Sequence, residues 1–239
     1  MKRWFSALLL VVAGCHDDNW LTYGWDDRRV LCSDSVDDIR AGLDRGIVEE
    51  TFGYAERTSS VALFHAHIPG KTISRDAIAS ILRSADAHHL DYVGYDELRS
   101  GEPPRAGFAF AFDDQAVDAW MDTRDLFQAH GARVTFFVTR FGSYTDEMKA
   151  SLAALAAEGH DIEAHSVSHV HAGEFVHDHG FPAYAGDEVL PSFQILKDAG
   201  YTPTAYAFPF GEADETLRDE VLSLDGVERI RVSPRACPY

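Results

Sequence analysis

Six consecutive residues, Gly107-Phe108-Ala109-Phe110-Ala111-Phe112, carry no polar side chain and stop at Asp113-Asp114. A strand that is apolar at every position is covered on both faces, as in a parallel sheet flanked by helices. The surrounding sequence has the same character. Val61-Ala62-Leu63-Phe64-His65 reads as a buried strand, and residues 74–88 as an amphipathic helix opening on Ser74 as N-cap. A short strand is expected at 91–95. Helices are expected at 116–130, 145–158 and 187–199, closed by Gly131, Gly159 and Gly200. Strands are expected at 134–139, 161–165, 205–208 and 229–233, with a further helix at 213–224. About seven such units predict an α/β fold, a distorted (β/α)7 TIM-like barrel, with a doubly wound open sheet as the alternative.

The chain has 239 residues and a formal charge of −18, enough for one domain and repulsive to phosphate backbones, so nucleic acid is not an expected partner. Its start reads as a targeting segment. Met1-Lys2-Arg3 precedes a short apolar run, and Val12-Ala13-Gly14-Cys15 matches a lipobox. Residues 1–15 are therefore expected to be a lipoprotein signal peptide with a lipidated Cys15, giving an exported, membrane-anchored bacterial lipoprotein in the periplasm or at the cell surface. Cys32 and Cys237 remain; a disulfide between them and two free buried thiols fit the sequence equally. Residues 16–60 are polar and irregular, with one short helix expected around 35–45. They read as a tether and N-terminal wrap, leaving 61–239 as the main folded domain.

The polar residues of interest fall at the carboxyl ends of expected strands, where parallel α/β folds assemble their sites. Asp113 and Asp114 point in different directions, so that one can hold a metal while the other acts as a base; an ordinary solvated turn is the alternative. His165 and His169, four apart, meet on one face of a helical turn and can share a divalent ion. The additional His171, His177 and His179 allow a rival reading, a metal-sequestering tract. Phe208-Pro209-Phe210-Gly211 forms a tight turn whose backbone N–H groups can face an oxyanion, or serves only as a turn.

In order, Phe112-Asp113-Asp114, Thr135-Phe136-Phe137, His165-Ser166-x-x-His169 and Phe208-Pro209-Phe210-Gly211 resemble carbohydrate esterase family four, the NodB-like polysaccharide deacetylases. The resemblance runs from about Val61 to the C-terminus. It implies a metal-dependent N-deacetylase acting on N-acetylated amino sugars of a polysaccharide. Asp114, His165 and His169 would be ligands to a divalent ion, most simply zinc, with Asp113 as base. The Phe210 N–H beside Pro209 would face the oxyanion, and Ser166 would order the histidine loop. Three positions depart from the family: Gln115 for glycine, Phe210 for tyrosine and Ala207 for the arginine that pairs with the base, for which Arg231 is the expected substitute. No Leu-x-His follows Pro209, whereas Leu63-Phe64-His65 precedes Asp113. That order resembles the circularly permuted branch, the poly-N-acetylglucosamine deacetylases, and makes His65, or else His67, the acid. On this reading the strand at 61–65 lies beside the one at 229–233. The missing arginine leaves a second reading open, a catalytically impaired glycan- or metal-binding lipoprotein on the same fold.

Overall fold

The computed structural model describes residues 20–38 and 45–238. Cys15, the signal segment and part of the expected helix at 35–45 lie outside them. In chain order the main elements are β1 (Thr22–Tyr23), β2 (Val30–Cys32), β3 (Asp34–Ser35), α1 (Arg45–Thr58), β4 (Val61–Ala66), α2 (Arg75–Ala87) and β5 (Asp91–Tyr92). Next come β6 (Gly107–Asp114), α3 (Val117–Met121), α4 (Arg124–His130), β7 (Thr135–Val138), α5 (Asp146–Ala157) and β8 (Asp161–Ala164). The chain ends with α6 (Ala172–His179), α7 (Phe181–Tyr184), α8 (Leu190–Asp198), β9 (Ala205–Ala207), α9 (Glu215–Leu222) and β10 (Arg229–Val232).

Strands β4, β6, β7, β8, β9 and β10 pair side by side in that order, all parallel. The ring is closed by residues 30–35. β2 runs parallel to β10, and one residue later β3 runs parallel to β4. The hydrogen bonds change sides at that point: Ser33 N donates to Val232 O, and Val36 N donates to His65 O. The barrel therefore has seven parallel staves, the seventh drawn from the segment expected as tether and wrap. β4 does not lie directly against β10, as the permuted arrangement predicted; the closing strand stands between them. The two ends of the described chain nevertheless meet, because Cys32 on that strand and Cys237 form a disulfide with Cα atoms 5.9 Å apart.

Alternation along each stave separates two cores. In β6 the even residues Phe108, Phe110 and Phe112 are fully buried in the cluster under the helices, with Phe136, Trp120 and Phe127. The odd residues Ala109 and Ala111 lie with Leu31, Leu63, Phe137 and Ala207 in the lumen cluster. Large side chains outward and small ones inward suit a narrow barrel, and each buried phenylalanine contributes roughly 1.5–3 kcal/mol. The same parity carries His65, Asp113, His165 and Arg231 inward at the carboxyl ends of their strands. Two local expectations change. The helix expected over 116–130 is broken into α3 and α4 around Asp122 and Thr123. Ser35, expected to begin a helix, lies in β3.

Candidate active site

The rim of the barrel is built from the ends of β6, β8, β9 and β10 with the loops that follow them. His165 is buried, and its Nδ1 lies 2.8 Å from the carbonyl of Ala207. A carbonyl can only accept, so Nδ1 carries the proton and the Nε2 lone pair faces inward, 3.6 Å from Asp114 Oδ1. His169 Nε2 is 3.0 Å from the same oxygen. One ligand atom from each of Asp114, His165 and His169 lies within 4.8 Å of the others. Asp114 Oδ1 is buried and makes no hydrogen bond. An orphaned carboxylate oxygen facing two imidazole nitrogens is a set of lone pairs converging on one point that could hold a divalent cation. Burial opposes ionisation of Asp114, but the facing imidazoles outweigh it and hold the carboxyl far below its usual range.

The histidine pair does not meet on a helical turn, as its spacing suggested. Ser166 and His169 both have left-handed backbone, with φ of 64° and 59°, so the loop is irregular and its shape is fixed by cross-links. The Ser166 hydroxyl accepts the N–H of His169 at 2.9 Å. The buried Glu188 accepts the N–H of Ser168 at 2.8 Å through its carboxylate. Thr139 Oγ1 donates to Ser166 O, and the Arg140 N–H donates to Val167 O. Asp114, Arg140 and Phe210 are left-handed as well, so non-glycine positive-φ residues gather at this rim. Each costs on the order of 1 kcal/mol and persists because surrounding bonds over-determine it.

Asp113 faces the other way. Arg231 donates to both of its oxygens, at 2.9 and 2.5 Å, and both side chains are buried. Burial alone would raise the Asp113 carboxyl, but the guanidinium holds it well below the ordinary carboxylate range. Arg231 thus supplies from β10 the cation missing at position 207. His65 and His67 also face Asp113 closely enough to form a second cluster of metal-type ligands. The guanidinium already on Asp113 repels a dication there, so the Asp114 group is the better suited of the two to hold one.

The two histidines differ sharply. His65 is fully buried with Nδ1 3.0 Å from Ser33 Oγ, and burial followed by the nearby Arg231 charge keeps its ring neutral. His67 is half-buried and its Nδ1 donates to Asp37 Oδ2 at 2.5 Å. Burial works against its protonated form, yet the Asp37 hydrogen bond and the neighbouring carboxylates raise its pKa. Asp37 is itself buried and accepts from the His67 N–H, Ser35 Oγ and Thr72 Oγ1; His67 and these donors outweigh burial and hold it at about 2. Asp37 and Glu188 were not singled out in the sequence. Asp37 follows the polar Ser33-Asp34-Ser35 stretch, which carries no apolar run, and Glu188 lies in a helical segment that gives no cue to its burial.

Pro209 is buried at the start of a single turn, whereas the Phe210 side chain is 48% exposed at the mouth of the site. Phe210 lies edge-on to His169, and His171 stacks on it with ring centroids 3.7 Å apart. Gly211 is required here: its φ is +67°, and a Cβ would come within 2.5 Å of Ser233 Cβ. His177 and His179 join neither metal-type cluster among the described residues, and nor does His171. The rival reading, a metal-sequestering tract, thus gains no ligand cluster beyond Asp114, His165 and His169 from the histidine loop among the described residues.

The fold and rim define a seven-stranded α/β barrel with an Asp-His-His site set against a buried Asp-Arg pair. The polysaccharide deacetylase family model matches residues 100–227, more than half of the chain, and the chain belongs to that family. No curated protein sequence matches it. Among solved structures, Streptococcus pyogenes deacetylase PplD in complex with acetate is 14% identical, with TM-score 0.56 over 71% of this chain and 91% of that one. IcaB from Ammonifex degensii is 17% identical, with TM-score 0.53 over 72% and 91%. The BpsB deacetylase domain from Bordetella bronchiseptica is 14% identical, with TM-score 0.51 over 90% and 96%. At these identities the likeness is one of fold.

Proposed function

We propose that this polysaccharide deacetylase removes N-acetyl groups from amino sugars of a cell-wall or exported polysaccharide, using one divalent ion held by Asp114, His165 and His169. The observation that carries the reading is the unpartnered buried Asp114 Oδ1 facing two imidazole nitrogens beside the Asp113–Arg231 pair. When bound, the ion would acidify water and polarise the acetamide carbonyl. Asp113 is held ionised and oriented by Arg231, and it accepts the proton of the attacking water. Arg231 makes Asp113 a weaker base while fixing its direction, so positioning rather than basicity is its contribution. The Phe210 N–H faces the carbonyl oxygen as negative charge develops there.

The departing amine requires a proton, and His67 suits that task better than His65. His67 keeps 18% of its side chain exposed, is bonded to Asp37 and is favoured in its charged form, whereas His65 is sealed and neutral. We assign His67 as the acid and His65 as a packing and hydrogen-bonding partner of Ser33. The Arg231–Asp113 pair argues against a catalytically impaired binding protein, since that reading rested on the absent arginine. Acetate release from N-acetylated oligosaccharides before and after chelation tests the proposal; release that is unaffected by full removal of metal would refute it. The Val12-Ala13-Gly14-Cys15 sequence supports export and anchoring through a lipidated Cys15, in which case Cys15→Ser should leave the membrane fraction.

A further inference from the structure

Beside Asp114 and His169 a cleft of about 420 Å³ opens to solvent, lined also by Lys71, Gln115, Asp118 and Arg140. Its charge is unlike that of the rest of the molecule. The whole chain carries −18, yet two cations, Lys71 and Arg140, line this cleft beside two carboxylates, Asp114 and Asp118. The Arg140 guanidinium donates only to the Ser168 carbonyl, at 3.3 Å, and neither it nor Lys71 forms an ion pair among the described residues. Many of the other arginines are occupied with carboxylates: Arg28 with Asp26, Arg75 with Asp125, Arg105 and Arg133 with Glu97, and Arg231 with Asp113. With Asp114 committed to the ion, Lys71 and Arg140 outnumber Asp118.

The backbone at Arg140 adds a second, independent observation. Its φ of 54° and ψ of 26° are left-handed, a conformation glycine adopts freely and arginine does not. Three hydrogen bonds hold it: its N–H to Val167 O, and Ser143 N and Oγ to its carbonyl. A guanidinium is thus kept at a strained position where it lines the cleft without a carboxylate partner. Planar guanidinium and flexible ammonium groups together recognise oxyanions.

We infer that Lys71 and Arg140 form an anionic subsite, so that the preferred substrate is an N-acetylated glycan bearing an oxyanion substituent, a carboxylate or a sulfate ester, near the scissile acetamide. The inference rests on the deacetylase reading and specifies its substrate class. Phe210, which also packs against His169, would offer to the sugar the part of its ring that the stacked His171 leaves exposed.

The test compares one N-acetylated oligosaccharide in three forms: carboxylated, carboxyl-reduced to the neutral alcohol, and sulfated on that neutral form. Acetate release gives kcat/KM for each, and calorimetric binding at low and high salt is read in parallel without turnover. Wild type should favour at least one anionic form over the neutral one by about tenfold or more at low salt, and which form wins identifies the substituent. That ratio should fall toward one in Lys71→Met/Arg140→Gly, a variant whose glycine relieves the strained φ. Equal kcat/KM for all forms in wild type, or an undiminished ratio in the variant, would overturn the subsite. Absence of acetate release with the binding ratio intact would overturn the deacetylase reading alone.

Discussion

Two pairs of carboxylic acids lie inside the same barrel and are treated in opposite ways. At the rim, Asp113 and Asp114 are held ionised, one by the Arg231 guanidinium and the other by two imidazoles. Deeper in the lumen, on β8, Asp161 and Glu163 form no ion pair among the described residues, although the Arg133 charge opposes the rise at Asp161. Burial, together with the charge of Asp96, pushes Asp161 up to about 7. Burial and then the Asp161 charge raise Glu163 well above its usual value, despite two backbone N–H groups, from Thr204 and Ala205, donating to it. Depth alone does not decide ionisation. At the rim a guanidinium in direct contact, or two facing imidazoles, holds the carboxylate ionised, whereas the hydrogen bonds that Asp161 and Glu163 accept do not offset their burial.

The largest effect should follow from breaking the rim pair. Arg231→Met leaves Asp113 buried without its counter-charge and should cost about 3–5 kcal/mol in urea unfolding at neutral pH. Part of that loss should return as the pH is lowered and Asp113 becomes protonated. Asp113→Asn should keep the bound metal while acetate release falls by about 10²-fold or more. An Arg231→Met protein as stable as wild type would remove the distinction between rim and lumen.

The lumen pair should respond with the opposite sign. The folded value of Asp161 lies above its ordinary 3.8, so the native state holds an additional proton between those limits. Its contribution to stability is therefore largest near pH 4 and declines as the pH rises to about 7, by on the order of 2–4 kcal/mol. Asp161→Asn still offers an oxygen to Thr135 Oγ1 and the Asp96 N–H, the two donors at 3.0 and 3.3 Å, and should flatten that decline. A pH-stability curve unchanged by this substitution would show that Asp161 ionises in place. The smallest effect is expected at Ser166→Ala, which removes the acceptor of the His169 N–H. The change should cost about 0.5–1.5 kcal/mol and weaken metal binding by roughly tenfold, both measurable by titration.

The same contrast explains what was legible in the sequence. Asp113 and Asp114 follow a conspicuous apolar run, so their position at a strand end could be read from the pattern, and His165 follows the short alternating stretch Asp161-Ile162-Glu163-Ala164. The family motifs then gave their order, and Arg231 was found because position 207 lacked its arginine. The closing strand was not legible. Ser33 and Ser35 face a lumen where small polar groups meet His65 and Asp37, so the apolar run of this stave is only Val30-Leu31-Cys32 before Ser33-Asp34-Ser35, too short to stand out as the other staves do. Asp37 was missed with them, and with it the reason to prefer His67. The shape of the His165–His169 loop also escaped, because left-handed turns at Ser166 and His169 are imposed by Glu188, Thr139 and Ser166 bonds rather than by local propensity.

The central claim is that one ion at the rim, held by Asp114, His165 and His169, serves the deacetylation. The direct measurement is to strip the protein with chelator, restore zinc in substoichiometric steps, and follow acetate release from an N-acetylated oligosaccharide against ions bound per chain. Activity in wild type should rise linearly and level off at one ion, while His169→Ala, folded by circular dichroism, should bind at least about 10²-fold more weakly and stay inactive over the same range. Full activity in the stripped protein, or a His169→Ala protein that follows the wild-type curve, would contradict it.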